Sequence, residues 1–279
     1  MFCVSHTLSM TYTVYDVHRC GGESIGTMGE TTETGLPRAV AIAWGVHDVP
    51  QRGPSRGLTH ERIVAAAIEI ADAHGLGAVT MQAVAKSLDF TTMSLYRYVS
   101  SKDELLRLMQ DAAVTMPEKV ELPDDWRDAL RVWADLVRDA YRAHPWALEL
   151  PRGQTAVLMP RTIRTADLGL AAMAGLDLSD GEKVGAILLI SQHVAAMVEL
   201  ERSLAAEGGV VATPEGVEML RRAITPDRFP HIAGVMAAGG YIVDAPAHPD
   251  DPEGVDAEYA FGLDLLIAGL ESLERRGRE

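Results

Sequence analysis

From Thr59 onward, apolar residues recur at helical spacing, and no run alternates at the two-residue period of a strand. Ile63, Ala67, Ile70 and Ala71 form one stripe, predicting a helix that begins after Thr59 and stops at Gly75 and Gly77. Thr59 is its expected N-cap, and Glu61 places an anion in the first turn, where the helix dipole favours one. A second helix is predicted from about Met81 to Leu88 behind Thr80, and a third from about Thr92 to Val99. Ser101 opens a fourth, with Ser101 and Glu104 read as a capping box and Leu105, Leu108, Met109 and Ala112 as its buried side.

Beyond residue 116 the periodic runs lengthen. Asp124 or Asp125 caps a helix carrying Trp126, Leu130, Trp133, Val137 and Tyr141, and Pro145 ends it. Residues 155–176 read as one helix with a kink at Pro160. Ser179 and Glu182 form another capping box, opening a helix to about Ala206. Thr213-Pro214 starts a further helix, 225–254 read as short helices joined by loops, and 255–276 as a last long helix. The predicted fold class is all-α.

Residues 1–36 are rich in Gly, Thr and Ser and lack helical periodicity, so they are expected to be mostly disordered. Met28 is a candidate alternative start, which would place residues 1–27 outside the native protein; peptides from 1–27 in native extract would refute this. Residues 36–58 read as a short apolar patch followed by a Gly/Pro/Arg linker. Cys3 and Cys20 fit neither a metal site nor a disulfide framework, which suggests a reducing cytoplasm. No signal-peptide pattern opens the chain. The most apolar stretch, 184–200, is interrupted by Ser191, Gln192, His193 and Glu199 and reads as a buried helix, so no membrane partner is expected.

Charge narrows the function classes. The 279-residue chain carries a formal charge of −15, against a protein that coats nucleic acid generally. Residues 50–116 nevertheless balance seven Lys/Arg with seven Asp/Glu, whereas 117–279 hold sixteen against twenty-eight. A nucleic-acid surface must therefore be local.

Residues 80–99, TMQAVAKSLDFTTMSLYRYV, describe a short helix, a tight turn and a second short helix: a helix-turn-helix. Val84, Leu88 and Leu95 face inward, and Ala85 is small where the helices cross. Thr91, Thr92, Met93, Ser94, Arg97 and Tyr98 are left to point outward, suited to a major groove. The competing reading is a helical hairpin with a solvated polar face.

Residues 59–116 resemble the N-terminal domain of the tetracycline-repressor (TetR) family of transcriptional regulators. RIVAAAIEIADAHGLGAVTMQAVAKSL and SLYRYVSSKDELL carry the resemblance. It implies that Thr92, Met93, Ser94 and Arg97 meet base edges or thymine methyls, that Gln82 reaches a base or phosphate, and that Tyr96, Tyr98 and Lys102 hold phosphates. For Tyr96, ring packing with only the hydroxyl reaching DNA is the alternative. Asp89 stands where the family usually has glycine in the turn, and aspartate tolerates that left-handed backbone at some cost. Arg52 and Arg56 form either a basic arm for a minor groove or a solvated linker.

The resemblance also implies a larger helical domain over 117–279 that binds a small molecule and forms a homodimer, with 1–58 as a disordered extension and basic arm. The helices at 182–206 and 255–276 are candidates for a four-helix dimer interface. In the latter, Tyr259, Leu263, Leu266, Leu270 and Leu273 form one stripe and Phe261, Leu265 and Ala268 another. Arg164, Gln192 and His193 interrupt apolar helices and are candidate effector ligands, with Trp146, Met173 and Met197 as apolar walls. The implied function is a homodimeric repressor, not an enzyme, released from a palindromic double-stranded DNA operator by a small, mostly apolar molecule. The 101–116 helix is the expected lever. No cofactor or metal is expected, since neither HExxH nor CxxC occurs. Two alternatives stay open: a helical ligand-binding module without DNA binding, and a hydrolase using Ser24 of GESIG, although no βα repeat accompanies that motif.

Overall fold

The computed structural model describes residues 32, 35–46, 57–206, 213–238 and 253–277. Ser24, Cys3, Cys20, Arg52, Arg56 and the proposed boundary at Met28 lie outside the described residues. Among these the regular elements are eleven α-helices and short 3-10 turns, with no strand.

The helices are α1 (Arg38–Ala43), α2 (His60–His74), α3 (Met81–Ser87), α4 (Thr92–Tyr96), α5 (Lys102–Ala113), α6 (Trp126–Ala143), α7 (Pro160–Ala172), α8 (Asp180–Ala206), α9 (Pro214–Ala223), α10 (Ile232–Ala237) and α11 (Glu253–Gly277). Most begin where the sequence predicts, because the cap is a local bond. The hydroxyls of Thr59, Thr80, Thr91 and Ser101 accept from Arg62, Ala83, Ser94 and Glu104 N–H at 3.0–3.2 Å. Asp125, rather than Asp124, caps α6. Each such cap stabilises by about 1 kcal/mol. Ser179 and Glu182 make the full reciprocal box.

Three expectations are corrected. Residues 38–43 do not belong to a disordered extension: they form α1, and Ala39, Val40, Ala41 and Ile42 are buried, so packing outweighs the short length. Pro160 does not kink a helix but starts one, because a proline at the first helical position lacks only an N–H that would be unpaired anyway. Glu104 does not reach back to Ser101. Its carboxylate accepts from Ser100 N–H and hydroxyl and pairs with Arg38, so that box is one-sided.

Two cores result. The first holds α1 to α5 together with Trp146, Ala147, Leu150 and Met159, so it crosses the boundary expected at 116/117. Asp72 on α2 fastens this crossing, accepting from Trp146 Nε1 at 2.6 Å and meeting His144 Nδ1 at 2.9 Å. The second core lies between α6, α7, α8 and α11 around Leu130, Trp133, Met173, Ile190 and Leu263. α8 is long and apolar enough to cross a membrane by length and composition, but it packs against α6, α7 and α11.

Candidate nucleic-acid interface

α3 and α4 pack against each other, with Val84 and Leu95 fully buried and Ala85 nearly so. The turn that joins them passes through Asp89 at φ 62°, the left-handed conformation, and Phe90 N–H closes it on Ala85 O at 2.9 Å. Aspartate holds this geometry at the position where the resemblance implied glycine.

With Leu95 anchored, the rest of α4 turns outward. Thr91, Met93, Tyr96 and Arg97 are exposed, and Thr92, Ser94 and Tyr98 half-buried. Met93 is 74% exposed, so it is not a core residue of the single chain. Tyr96 is 45% exposed, partly covered by the protein and partly open to solvent. Thr91 and Ser94 share a hydroxyl contact of 2.9 Å, so Thr91 is also spent on capping α4. Gln82 is exposed on α3, and it lines a shallow surface depression with Lys86, Asp89, Thr91 and Thr92. Lys102 is exposed at the first position of α5. The sequence from Gln82 to Lys102 carries three cations, Lys86, Arg97 and Lys102, against the single anion Asp89, so this face is locally basic on an acidic protein.

The exit from α4 is clamped by residues that the sequence alone did not single out. Arg38 on α1 donates to both Glu104 oxygens, at 3.0 and 3.2 Å, and to Tyr98 O at 3.0 Å. His60 Nε2 meets the same carbonyl at 2.9 Å, and its ring packs edge-on against Tyr98. Glu104 is only 7% exposed, a buried carboxylate satisfied by Arg38 and Ser100. This network ties α1, α2 and the start of α5 to the end of α4.

The six predicted effector residues do not gather around one cavity. Trp146 is in the first core and Met173 in the second. Arg164 donates to the carbonyls of Pro117 and Glu118 on the surface. Gln192 is exposed beside Arg152, at 3.3 Å. His193 meets Tyr259 O at 3.0 Å and stacks on the Tyr259 ring in the seam with α11, and Met197 is half-buried against the second core. A cleft of about 300 Å³ lies elsewhere, between α5 and residues 150–162.

Outside their shared seam, α8 and α11 each leave apolar residues uncovered. Leu188, Leu189 and Leu200 are exposed on α8, so the stretch that reads as a buried helix is only partly covered within the single chain. On α11 the two stripes separate as expected: Tyr259, Leu263 and Leu270 are buried, whereas Phe261 is 65% and Leu265 58% exposed.

Residues 63–109 match the model for bacterial regulatory proteins of the tetR family, and residues 116–273, more than half of the chain, match that for the tetracyclin repressor-like C-terminal domain. The chain is 35% identical over 270 residues to the HTH-type transcriptional repressor DrrR1 of Streptomyces coeruleorubidus, covering 92% of this chain and 94% of that one. It is 30% identical over 217 residues to an HTH-type transcriptional regulator of Saccharopolyspora erythraea, covering 77% and 87%. Among solved structures, the Streptomyces coelicolor TetR family protein ActR in complex with actinorhodin aligns with a TM-score of 0.60 and 26% identity, over 77% of this chain and 98% of that one. The chain belongs to the TetR family of bacterial transcriptional regulators.

Proposed function

We propose that the chain is a homodimeric transcriptional repressor that reads a palindromic operator with α4 and releases it when a small molecule binds the larger domain. The observation that carries this is the outward face of α4, where Met93 stands exposed beside Thr92, Ser94 and Arg97 while Leu95 anchors the helix from beneath. An apolar tip among hydroxyls and a guanidinium suits thymine methyls and base-edge acceptors. Thr92, Met93, Ser94 and Arg97 meet bases, with Gln82 beside them on α3. Tyr96, Tyr98 and Lys102 hold phosphates and fix register, and Arg52 and Arg56 extend the contact as an arm. The uncovered apolar faces of α8 and α11 support pairing with a second copy. The name of the relative DrrR1 supports repression, and the complex of ActR with actinorhodin supports response to a small molecule. The protein acts in the cytoplasm and catalyses no reaction.

A gel-shift titration with DNA from upstream of the protein's own gene tests this. A sequence-specific shift is expected, and the double variant Thr92→Ala/Met93→Ala should lose about tenfold or more of its preference over random DNA. Equal affinity for both DNAs in the unaltered protein would refute the proposal.

A further inference from the structure

The cleft of about 300 Å³ is built by one face of α5. Leu106, Arg107, Gln110 and Asp111 sit on that face, opposite Leu150 and Met159. At this volume it is at the small end of ligand sites. The space between α6, α7 and α8 is occupied instead by Trp133, fully buried, whose Nε1 donates to Thr165 O at 2.8 Å and whose ring presses on Gly169.

Asp111 is 6% exposed and does unusual work. The residue before α7, Met159, offers no side-chain cap. Asp111 caps α7 from another helix: its Oδ1 accepts from Arg161 N–H at 3.1 Å and Thr162 N–H at 3.3 Å. Its Oδ2 has no hydrogen-bond partner among the described residues, although the side chain lines the cleft. Burial raises this carboxyl above the usual carboxylate range, against the pull of the two N–H groups. Two further bonds cross the cleft, Arg107 Nη1 to Thr155 Oγ1 at 3.4 Å and Gln110 Nε2 to Leu150 O at 3.3 Å, both long and weak.

We propose that this cleft is the effector site, and that it takes a compact amphipathic molecule with an apolar body against Leu106, Leu150 and Met159 and a protonated amine against Asp111. The inference rests on the reading of the chain as a ligand-responsive repressor, and it gives that reading a site and a ligand class. The lining carries two carboxylates, Asp103 and Asp111, and the guanidinium of Arg107, and Arg161 acts on Asp111 from beyond the lining, so the preference for a cation rests on the open Oδ2 rather than on net charge. An amine donates to the vacant Oδ2 in a low-dielectric setting, where a charge-assisted bond is strong. Entry competes with the two weak bonds and separates α5 from residues 150–162. The same helix carries Leu105, Leu108 and Met109 into the core that holds α4, so movement of α5 is passed to the recognition helix.

Two isosteric probes test the site: 1-naphthylmethylammonium and 1-naphthoate, titrated calorimetrically into the full chain. The cation should bind saturably at one site per chain, at least tenfold tighter than the anion, and should lower operator affinity at saturation. Leu106→Trp, which fills the cleft, should abolish binding, and Asp111→Asn should weaken the cation about tenfold without affecting the anion. Operator binding by each unliganded variant reports that its fold is intact. Failure of the cation to bind, equal binding of the two probes, or full binding by the Leu106→Trp and Asp111→Asn variants would overturn the assignment. Loss of operator recognition by the unliganded wild type would instead overturn the repressor reading, so the two failures are distinguishable.

Discussion

The two ends of the molecule leave opposite kinds of surface uncovered. Around α3 and α4 the large apolar side chains other than Met93 and Tyr96 are buried or half-buried, and what remains outside is mostly hydroxyl, amide and cation, with Asp89 as an exposed anion. Along α8 and α11 the residues left outside include Leu188, Leu189, Phe261 and Leu265. A polar, locally basic face gains by meeting a charged polymer, and loses little by staying in water. A leucine and phenylalanine face gains only by leaving water, at roughly 25 cal/mol per Å² of apolar surface removed. On the proposed function, DNA meets the first end and a second copy of the chain the other, and the first contact depends on the second.

Breaking the apolar end should have the largest effect. Leu265→Asp places a charge in the predicted dimer face, and the protein should sediment as a monomer. Operator affinity should fall by at least about a hundredfold, because two tethered half-site contacts become two independent ones. A dimeric Leu265→Asp protein with unchanged operator affinity would sever the link between the two ends.

A smaller effect is expected in the seam that holds α8 to α11. A Cβ at Gly262 would lie 2.2 Å from His193 Cε1, so Gly262→Ala forces the stacked His193 and Tyr259 rings apart. Overpacking of this kind costs about 1–3 kcal/mol, which exceeds the gain of about 1 kcal/mol from replacing a helical glycine. Thermal unfolding should show the loss, and His193→Ala in the same chain should restore part of it. The smallest effect belongs to the polar end. Asp89→Gly should change urea stability by no more than about 0.5 kcal/mol, whereas Asp89→Ala should lose about 1 kcal/mol at the left-handed turn, with oligomeric state unchanged in both.

What was legible in the sequence was what local bonds decide. Thr59, Thr80, Ser101 and Ser179 mark helix starts because each cap acts within three residues of itself. The outward face of α4 was legible because burial of Leu95 leaves Met93 and Arg97 exposed and Thr92 half-buried. α1 was missed because six residues between Gly- and Pro-rich stretches carry little periodic signal, and its anchor, Arg38 to Glu104, spans 66 positions. The cleft was missed for the same reason: Asp111 caps a helix that begins 49 residues later, and no cap pattern reports a bond of that range. Searching for polar residues on apolar helices selected His193, but its partner is the carbonyl of Tyr259 across the seam rather than a cavity.

The central claim is that the outward face of α4 lies in a duplex groove twice per dimer. Hydroxyl-radical footprinting on the upstream DNA tests it most directly. Two protected half-sites related by a two-fold axis, with centres about one helical turn or a small multiple of one turn apart, are expected, and both should fade together in the Thr92→Ala/Met93→Ala variant. A single unpaired patch of protection, or a footprint that the variant leaves intact, would contradict the account.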